Sequence, residues 1–262
     1  MPTVERHAPG DFCWMELATT DQAAAKSFYG AILGWTVTDV PIGPNDFYTR
    51  FLLNGRTAAS AYTMRADERS LGIPPHWNLY ICVASADDVA NKAAELGGKV
   101  LAPAFDVMEL GRMAVLQDPT GAVFSIWQPK IRIGVSVTDE AGAFCWADWN
   151  TPDPGRAQTF YEQLFGWHVD LGKGESSGYW YIKNGENFIG GIPPVAHRDP
   201  SIPPNWLIYF AIADVSNATG QATGMGARVL LPPTSMERVG RFSVLADPQG
   251  AVFALFEPEA RE

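Results

Sequence analysis

The stretch Asp118-Pro119-Thr120-Gly121-Ala122-Val123-Phe124 decides the fold, because it returns as Asp247-Pro248-Gln249-Gly250-Ala251-Val252-Phe253. In Asp-Pro-x-Gly, the proline suits the second position of a tight turn and the glycine can adopt a positive φ. The apolar residues behind each copy predict a buried strand, so that each copy closes a hairpin. A repeat at this spacing indicates two duplicated modules rather than a solenoid.

Other matching segments extend the repeat over most of the chain. They predict module 1 at residues 1–130 and module 2 at residues 131–262. The matching pairs are Cys13-Trp14 with Cys145-Trp146, Phe28-Tyr29 with Phe160-Tyr161, Gly34-Trp35 with Gly166-Trp167, Pro74-Pro75-His76-Trp77 with Pro203-Pro204-Asn205-Trp206, and Gly111-Arg112 with Gly240-Arg241.

Each module is itself predicted to contain two units with the order β-α-β-β-β. At the start, alternation predicts a strand over 12–18, with Phe12, Trp14 and Glu16 on the same face. A helix follows and ends at Gly34, and three strands separated by turn signals complete the unit. The same order restarts three times, which predicts an α+β fold of four βαβββ units.

Composition limits the partners that this chain can have. The 262 residues are 47% hydrophobic, which is enough for a substantial core, and the formal net charge is −10. A nucleic acid or an anionic membrane requires a basic surface, so we expect neither as a partner.

Cysteine usage and hydropathy point to a reduced compartment. The three cysteines (Cys13, Cys82 and Cys145) form no CxxC pair, so neither a disulfide framework nor a zinc site is expected. No signal-like apolar segment occurs near the N-terminus, and no apolar run approaches the ~20 residues of a membrane span. The sequence therefore predicts a cytoplasmic protein.

These features resemble the vicinal oxygen chelate superfamily, which includes glyoxalase I, bleomycin-resistance proteins and extradiol dioxygenases. The resemblance rests on the tandem βαβββ units, on the segment from Phe28 to Trp35 and on the Asp-Pro-x-Gly turn that ends each half. It implies that the paired units form two cup-shaped mixed sheets. Enzymes of the superfamily hold a divalent metal with His, Gln or Glu side chains from four strand positions.

The positions that the resemblance assigns to metal ligands do not carry suitable side chains here. The first-strand position falls on Trp14 and Trp146, and the last-strand position falls on Ser125 and Ala254. The second falls in residues 58–62 and 188–192, which contain no Asp, Glu or His, and the third lies near Asn78 and Leu207. A divalent ion in an open site needs about three protein ligands. We therefore predict no metal and no other cofactor.

Carboxylates and aromatic side chains remain as candidate ligand-binding groups. Glu16 lies two residues from Trp14 and Asp148 two residues from Trp146, so each carboxylate shares a strand face with an indole. Such a group is expected to accept hydrogen bonds from the backbone or an arginine, or to hold a ligand. No catalytic residue can be assigned. The predicted ligand-binding residues are Trp14, Glu16, Tyr62, His76, Asn78, Ser125, Trp127, Trp146, Asp148 and Asn205.

The leading hypothesis is a protein that binds a small aromatic molecule or metabolite in its cups without a metal. One alternative is a metal-dependent lyase or dioxygenase-like enzyme that rebuilt its site from residues such as Glu16, His76 or Asp148. Another is a structural or signalling protein that uses its outer surface. The sequence leaves open whether the protein forms a homodimer.

Overall fold

The fold is described by a computed structural model that covers residues 3–44, 46–171, 178–237 and 239–259. It confirms the α+β class and the four βαβββ units. No helix in these ranges is long and apolar enough to cross a lipid bilayer.

In the described part of the first half there are eight strands and three helices. The strands are β1 (Phe12–Thr19), β2 (Thr36–Gly43), β3 (Asp46–Leu53), β4 (Arg56–Thr63), β5 (His76–Cys82), β6 (Lys99–Val107), β7 (Gly111–Gln117) and β8 (Val123–Pro129), and the helices are α1 (Gln22–Leu33), α2 (Ala66–Ser70) and α3 (Ala86–Glu95). The short helix α2 was not predicted.

The second half repeats this order, with a 3₁₀ turn at Val195–His197 near the position of α2. Its strands are β9 (Phe144–Asn150), β10 (His168–Leu171), β11 (Trp180–Asn184), β12 (Asn187–Ile192), β13 (Asn205–Ala211), β14 (Arg228–Met236), β15 (Gly240–Ala246) and β16 (Val252–Pro258), and its helices are α4 (Pro154–Phe165) and α5 (Val215–Gly224).

Each half forms one eight-stranded mixed sheet. The strand orders are β2-β3-β4-β1-β5-β8-β7-β6 and β10-β11-β12-β9-β13-β16-β15-β14. The first strands of the two units in each half, β1 with β5 and β9 with β13, pair antiparallel at the centre of the sheet. Residues opposite one another across these central strands therefore share one face.

The prediction that Phe12 shares a strand face with Trp14 and Glu16 is wrong, because β1 contains a bulge. The register shifts between Phe12 and Trp14. Phe12 accordingly packs between the modules, where its ring lies 6.1 Å from that of Phe144. Trp14 lies on the opposite face of the sheet, in a separate cluster with Tyr80 and Trp127. An extra residue in a strand reverses the alternation on which the prediction relied.

The repeated turn motif joins the two modules. Asp118 accepts hydrogen bonds from the backbone N–H groups of its own turn, and its second oxygen accepts one from the Tyr161 hydroxyl of module 2 at 3.2 Å. The Tyr29 hydroxyl donates in the same way to Asp247 at 3.0 Å. Each Phe-Tyr motif therefore binds the turn motif of the other half.

One hydrophobic core spans both modules, between the inner faces of the two sheets. The Trp35 indole donates to the carbonyl of Gly142 at 2.6 Å, and the Trp167 indole donates to that of Gly10 at 2.9 Å. Both glycines have a positive φ. The outer faces, which carry Glu16 in the first sheet and Asp148 in the second, are named cup 1 and cup 2 below.

Candidate functional site

Glu16 lies at the centre of cup 1. On β1 it is the Cα partner of Ser60 on β4 and of Asn78 on β5, so these three residues form one row across the sheet. The hydroxyl of Tyr48 donates to Oε1 of Glu16 at 2.5 Å, and the hydroxyl of Tyr80 donates to Oε2 at 2.6 Å. Tyrosine donors thus occupy both carboxyl oxygens, in place of the backbone or arginine donors expected from the sequence.

Burial dominates the protonation of Glu16. It raises the pKa of the carboxyl, because the charged form loses hydration. The hydrogen bonds from Tyr48 and Tyr80 act in the opposite direction, as does the nearby His76, but they do not reverse the shift. Part of the Glu16 side chain remains accessible from the cup.

Two indoles lie beside this carboxyl group. The Trp14 indole donates to Oγ of Ser60 at 2.7 Å, and this hydroxyl lies 2.7 Å from that of Tyr48, whose single proton is donated to Glu16. The Trp14 ring packs edge-on against Trp127 at a centroid distance of 5.4 Å. The Trp127 indole donates to the carbonyl oxygen of Arg132 at 2.8 Å. All the polar atoms of the two indoles are thus engaged within cup 1.

Cup 2 holds its carboxyl group in a related way. The hydroxyl of Tyr209 donates to Oδ2 of Asp148 at 2.7 Å, and the hydroxyl of Tyr179 donates to Oδ1. The Trp146 indole lies 3.1 Å from Oδ1 and 2.8 Å from the Tyr179 hydroxyl. Asp148 is only 6% exposed, and burial raises its pKa to about 6. This carboxyl group titrates close to neutral pH.

Strand register shows which residues correspond between the cups. Ser60 and Gly191 are the strand partners of Glu16 and Asp148, respectively. A Cβ on Gly191 would lie 1.9 Å from the Tyr179 hydroxyl. The indole of cup 2 therefore meets a tyrosine hydroxyl where the indole of cup 1 meets a serine. This position requires glycine because a side chain would displace Tyr179.

The other predicted site residues lie further from the carboxyl groups. His76 is the partner of Ala18 on the face of cup 1, and its Nδ1 is 2.8 Å from the Pro74 carbonyl. Tyr62 donates to Glu68 at 2.9 Å. Ser125 is 1% exposed. Asn205 starts β13 and bonds to the Pro203 carbonyl and to Asn150.

Sequence reasoning did not identify several residues that contact the carboxyl groups. Tyr48, Tyr80, Tyr179 and Tyr209 are not among the predicted ligand-binding residues, although Tyr80 and Tyr209 occupy matching places in the two repeats. Ser60 was not singled out. The recurrence of Tyr80 and Tyr209 at equivalent positions in the two halves, on strands adjacent to those of Glu16 and Asp148, could have indicated these contacts.

The repeated arginines do not contact the first-strand carboxylates. Arg112 forms a bidentate ion pair with Asp87 of α3, at 2.8 Å. Arg241 bonds to Ser216 and lies 3.7 Å from Glu257. The arginine donor expected for Glu16 and Asp148 is therefore not supplied by Arg112 or Arg241, because each guanidinium points toward the helix that precedes its hairpin.

The donors in the cups do not fit the divalent metal of the superfamily. Indoles stand at the first-strand positions, and both oxygens of Glu16 and of Asp148 already accept hydrogen bonds from hydroxyl groups. Within the described ranges, no three His, Cys, Asp or Glu side chains come together as a ligand set. A site for such an ion would require these groups to rearrange.

Two family models match this chain, one in each half. Residues 12–126 match the model of the Glyoxalase/Bleomycin resistance protein/Dioxygenase superfamily, and residues 146–256 match a glyoxalase-like domain. The protein named "Putative glyoxylase CFP32" of Mycobacterium tuberculosis is 36% identical over the full length of both chains. "Anthracycline biosynthesis protein DnrV" of Streptomyces peucetius is 31% identical, covering 96% of this chain and 94% of that one. The chain belongs to the glyoxalase, bleomycin resistance and dioxygenase superfamily.

Solved structures agree with this fold. The Mn(II)-bound glyoxalase from Novosphingobium aromaticivorans superposes with a TM-score of 0.64 at 14% identity, covering 95% of this chain and 82% of its own. The 2,3-dioxygenase LapB from Pseudomonas sp. KL28 gives a TM-score of 0.62, also at 14% identity, covering 100% of this chain and 95% of its own. At this identity the likeness establishes the fold alone.

Proposed function

We propose that the protein binds a small planar organic molecule in its cups without a divalent metal. The observation that carries this proposal is the set of hydrogen bonds around Glu16 and Asp148. In both cups the central carboxyl group is held by two tyrosine hydroxyls, an arrangement that orients hydroxyl and carboxyl groups and, among the described residues, brings no metal ligand set together. The two halves have diverged in sequence but both keep this arrangement, which supports a role for it in function.

Aromatic surface supports a planar ligand. In cup 2 the half-buried ring of Tyr181 lies 6.4 Å from Trp146 and 5.5 Å from Phe188, and Phe188 is 54% exposed. Aromatic rings favour offset or edge-on contact with other planar rings. The relative named for anthracycline biosynthesis adds support, since anthracyclines contain fused aromatic rings.

Two measurements on the untagged protein test this proposal. Plasma mass spectrometry before and after chelation should find no stoichiometric transition metal, and a panel of planar aromatic compounds should raise the melting temperature. Glu16→Gln and Asp148→Asn would then show which cup binds a given compound. A stoichiometric metal, or a panel without any melting shift, would contradict the proposal.

A second candidate is an enzyme that uses Asp148 as an acid or base. The observation that favours it is the pKa of about 6, which leaves the carboxyl partly protonated near neutral pH beside the Tyr179 hydroxyl. Such an enzyme would lose turnover in Asp148→Asn while retaining ligand affinity. Equal loss of affinity and turnover would instead indicate a binding role.

A further inference from the structure

Arg50 occupies a defined place in cup 1. On β3 it is the Cα partner of Ser60, which is in turn the partner of Glu16, so Arg50 continues the row that crosses the cup. Tyr48 precedes it by two residues on the same strand face. The guanidinium of Arg50 therefore extends from the strand beside the Tyr48–Glu16 hydrogen bond.

This arginine lacks an acceptor among the described residues. Its Nε is buried, and no hydrogen-bond partner lies in range. Two other half-buried arginines are paired with carboxylates: Arg56 with Glu140, and Arg112 with Asp87 and Asp106. A buried N–H of a charged group without an acceptor is destabilising, so such groups are usually paired in proteins.

A second cation, Arg132, lies near Arg50. The Arg132 carbonyl accepts from the Trp127 indole, and Trp127 packs on Trp14, whose indole donates to Ser60, the strand partner of Arg50. This series of contacts holds the backbone of Arg132 against cup 1. Burial lowers the pKa of Arg50, and the positive charge of Arg132 lowers it further, so the two guanidinium groups repel each other. No described carboxylate forms an ion pair with either.

We propose that cup 1 binds the carboxylate of a small organic acid between Arg50 and Arg132. This inference rests on the proposed function and adds the ligand's charge and the cup that recognises it. A carboxylate would accept from the terminal nitrogens of Arg50, which have no acceptor among the described residues, and would screen the two positive charges. Both oxygens of Glu16 already accept hydrogen bonds, from the hydroxyls of Tyr48 and Tyr80.

Cup 2 provides a natural comparison. The register that pairs Arg50 with Ser60 pairs Tyr181 with Gly191, so a tyrosine stands in cup 2 where cup 1 carries the arginine. A ligand anion would thus be recognised by cup 1 alone, whereas a neutral ring could enter either cup. Tyr181→Phe is accordingly the matched control for changes at Arg50.

The test compares two planar probes, 2-naphthoate and 2-naphthamide, by calorimetric titration of the full chain. We expect 2-naphthoate to bind more tightly, and Arg50→Gln or Arg132→Gln to weaken it about 10- to 100-fold, the effect of one or two charge-assisted hydrogen bonds. Binding of 2-naphthamide should be unchanged in these variants, and Tyr181→Phe should retain the preference for the acid. Circular dichroism verifies that each variant is folded.

The outcomes separate this inference from the proposed function. Equal affinity for both probes, unaffected by Arg50→Gln, would overturn the carboxylate site and leave the ring-binding function intact. If neither probe binds, acetate is titrated while the ¹⁵N signal of Arg50 Nε, assigned by its loss in Arg50→Gln, is followed. A saturable acetate shift would support the anion site, and an unchanged signal would overturn it.

Discussion

The cup carboxyl groups show how one residue's surroundings set its chemistry. Asp148 shares a strand with Trp146 and accepts from two tyrosines of neighbouring strands. Those donors favour the ionised form, but burial outweighs them and raises the pKa to about 6. At pH 7 the protein therefore carries a buried carboxylate at a net cost in stability.

This pKa predicts a pH dependence of folding. Because the folded-state pKa lies above the ordinary aspartate value of 3.8, the native state binds the proton more tightly than the unfolded chain. The stabilising contribution is complete below about pH 4 and is lost as the pH rises through 6, which amounts to about 3 kcal/mol. Denaturant titrations from pH 4 to 8 should show this component in the wild type, and Asp148→Asn should lack it.

Asp87 supplies the control for that experiment. Its hydrogen bonds to Arg112 lower its pKa, so its contribution is lost only as the pH falls below the usual aspartate range. Asp87→Asn should leave the difference between pH 5 and pH 8 unchanged. The same loss of pH dependence in both variants would mean that Asp148 is not the titrating group.

Arg50 predicts a gain in stability on substitution. Replacing it with methionine keeps the apolar stem while it removes a buried donor without an acceptor and the repulsion from Arg132. We expect Arg50→Met to raise the unfolding free energy of the ligand-free protein by about 1 kcal/mol. Arg56→Met, which removes the partner of Glu140, should lower it. Chemical denaturation measures both, and a loss of stability in Arg50→Met would show that the Arg50 guanidinium stabilises the ligand-free fold.

At the scale of elements, the first helix of each module is hydrogen-bonded to the other module. The Tyr29 hydroxyl of α1 accepts from the Trp77 indole at 3.0 Å and donates to Asp247 beyond β15. Tyr161 of α4 makes the same contacts with Trp206 and Asp118. The Phe-Tyr and Asp-Pro-x-Gly motifs thus recur together because they form one buried contact, made twice.

Removal of either hydroxyl should destabilise the fold to a similar extent. Tyr29→Phe leaves the Trp77 indole without its acceptor and removes a donor from Asp247, at a cost of about 2 kcal/mol. Tyr161→Phe should cost about the same, since its contacts are equivalent. Tyr62→Phe is the comparison: that hydroxyl is half-buried and bonds to Glu68, so a smaller loss is expected. Equal losses in all three variants, by thermal denaturation, would argue against a special role of the intermodule contact.

At the scale of the whole molecule, the two halves share one core. Phe12 of module 1 contacts Phe144 and Trp206, while Phe210 of module 2 contacts Trp35 and Trp77. Neither half can expose this surface without a large loss of apolar burial. The repeat is therefore a duplication in sequence but one unit in stability.

We predict a single cooperative unfolding transition. Calorimetry should give equal calorimetric and van't Hoff enthalpies for the full chain. Phe144→Ala should lower the midpoint of that transition without splitting it, at about 3 to 5 kcal/mol for a buried phenylalanine. Two resolved transitions, in either protein, would show that the halves unfold independently.

Much of the fold follows from local sequence. The repeated Asp-Pro-x-Gly turn, the glycine after each Phe-Tyr helix and the alternating strands predict four βαβββ units, because turns and caps depend on neighbouring residues. Alternation also places Trp14 and Glu16 on one face. Its error at Phe12 arises from a bulge, which depends on pairing with β5 and leaves no mark in the local pattern.

The sequence by itself thus determined the modules, their order and the carboxylate at the centre of each cup. Only the tertiary structure decided what those carboxylates contact, since Tyr48 and Tyr80 reach Glu16 from strands remote in sequence. It also decided that Nε of Arg50 finds no acceptor among the described residues. Each Asp-Pro-x-Gly turn binds the opposite module because of the packing of the halves. These properties depend on strand register and on packing between the halves, which act over separations that no local pattern records.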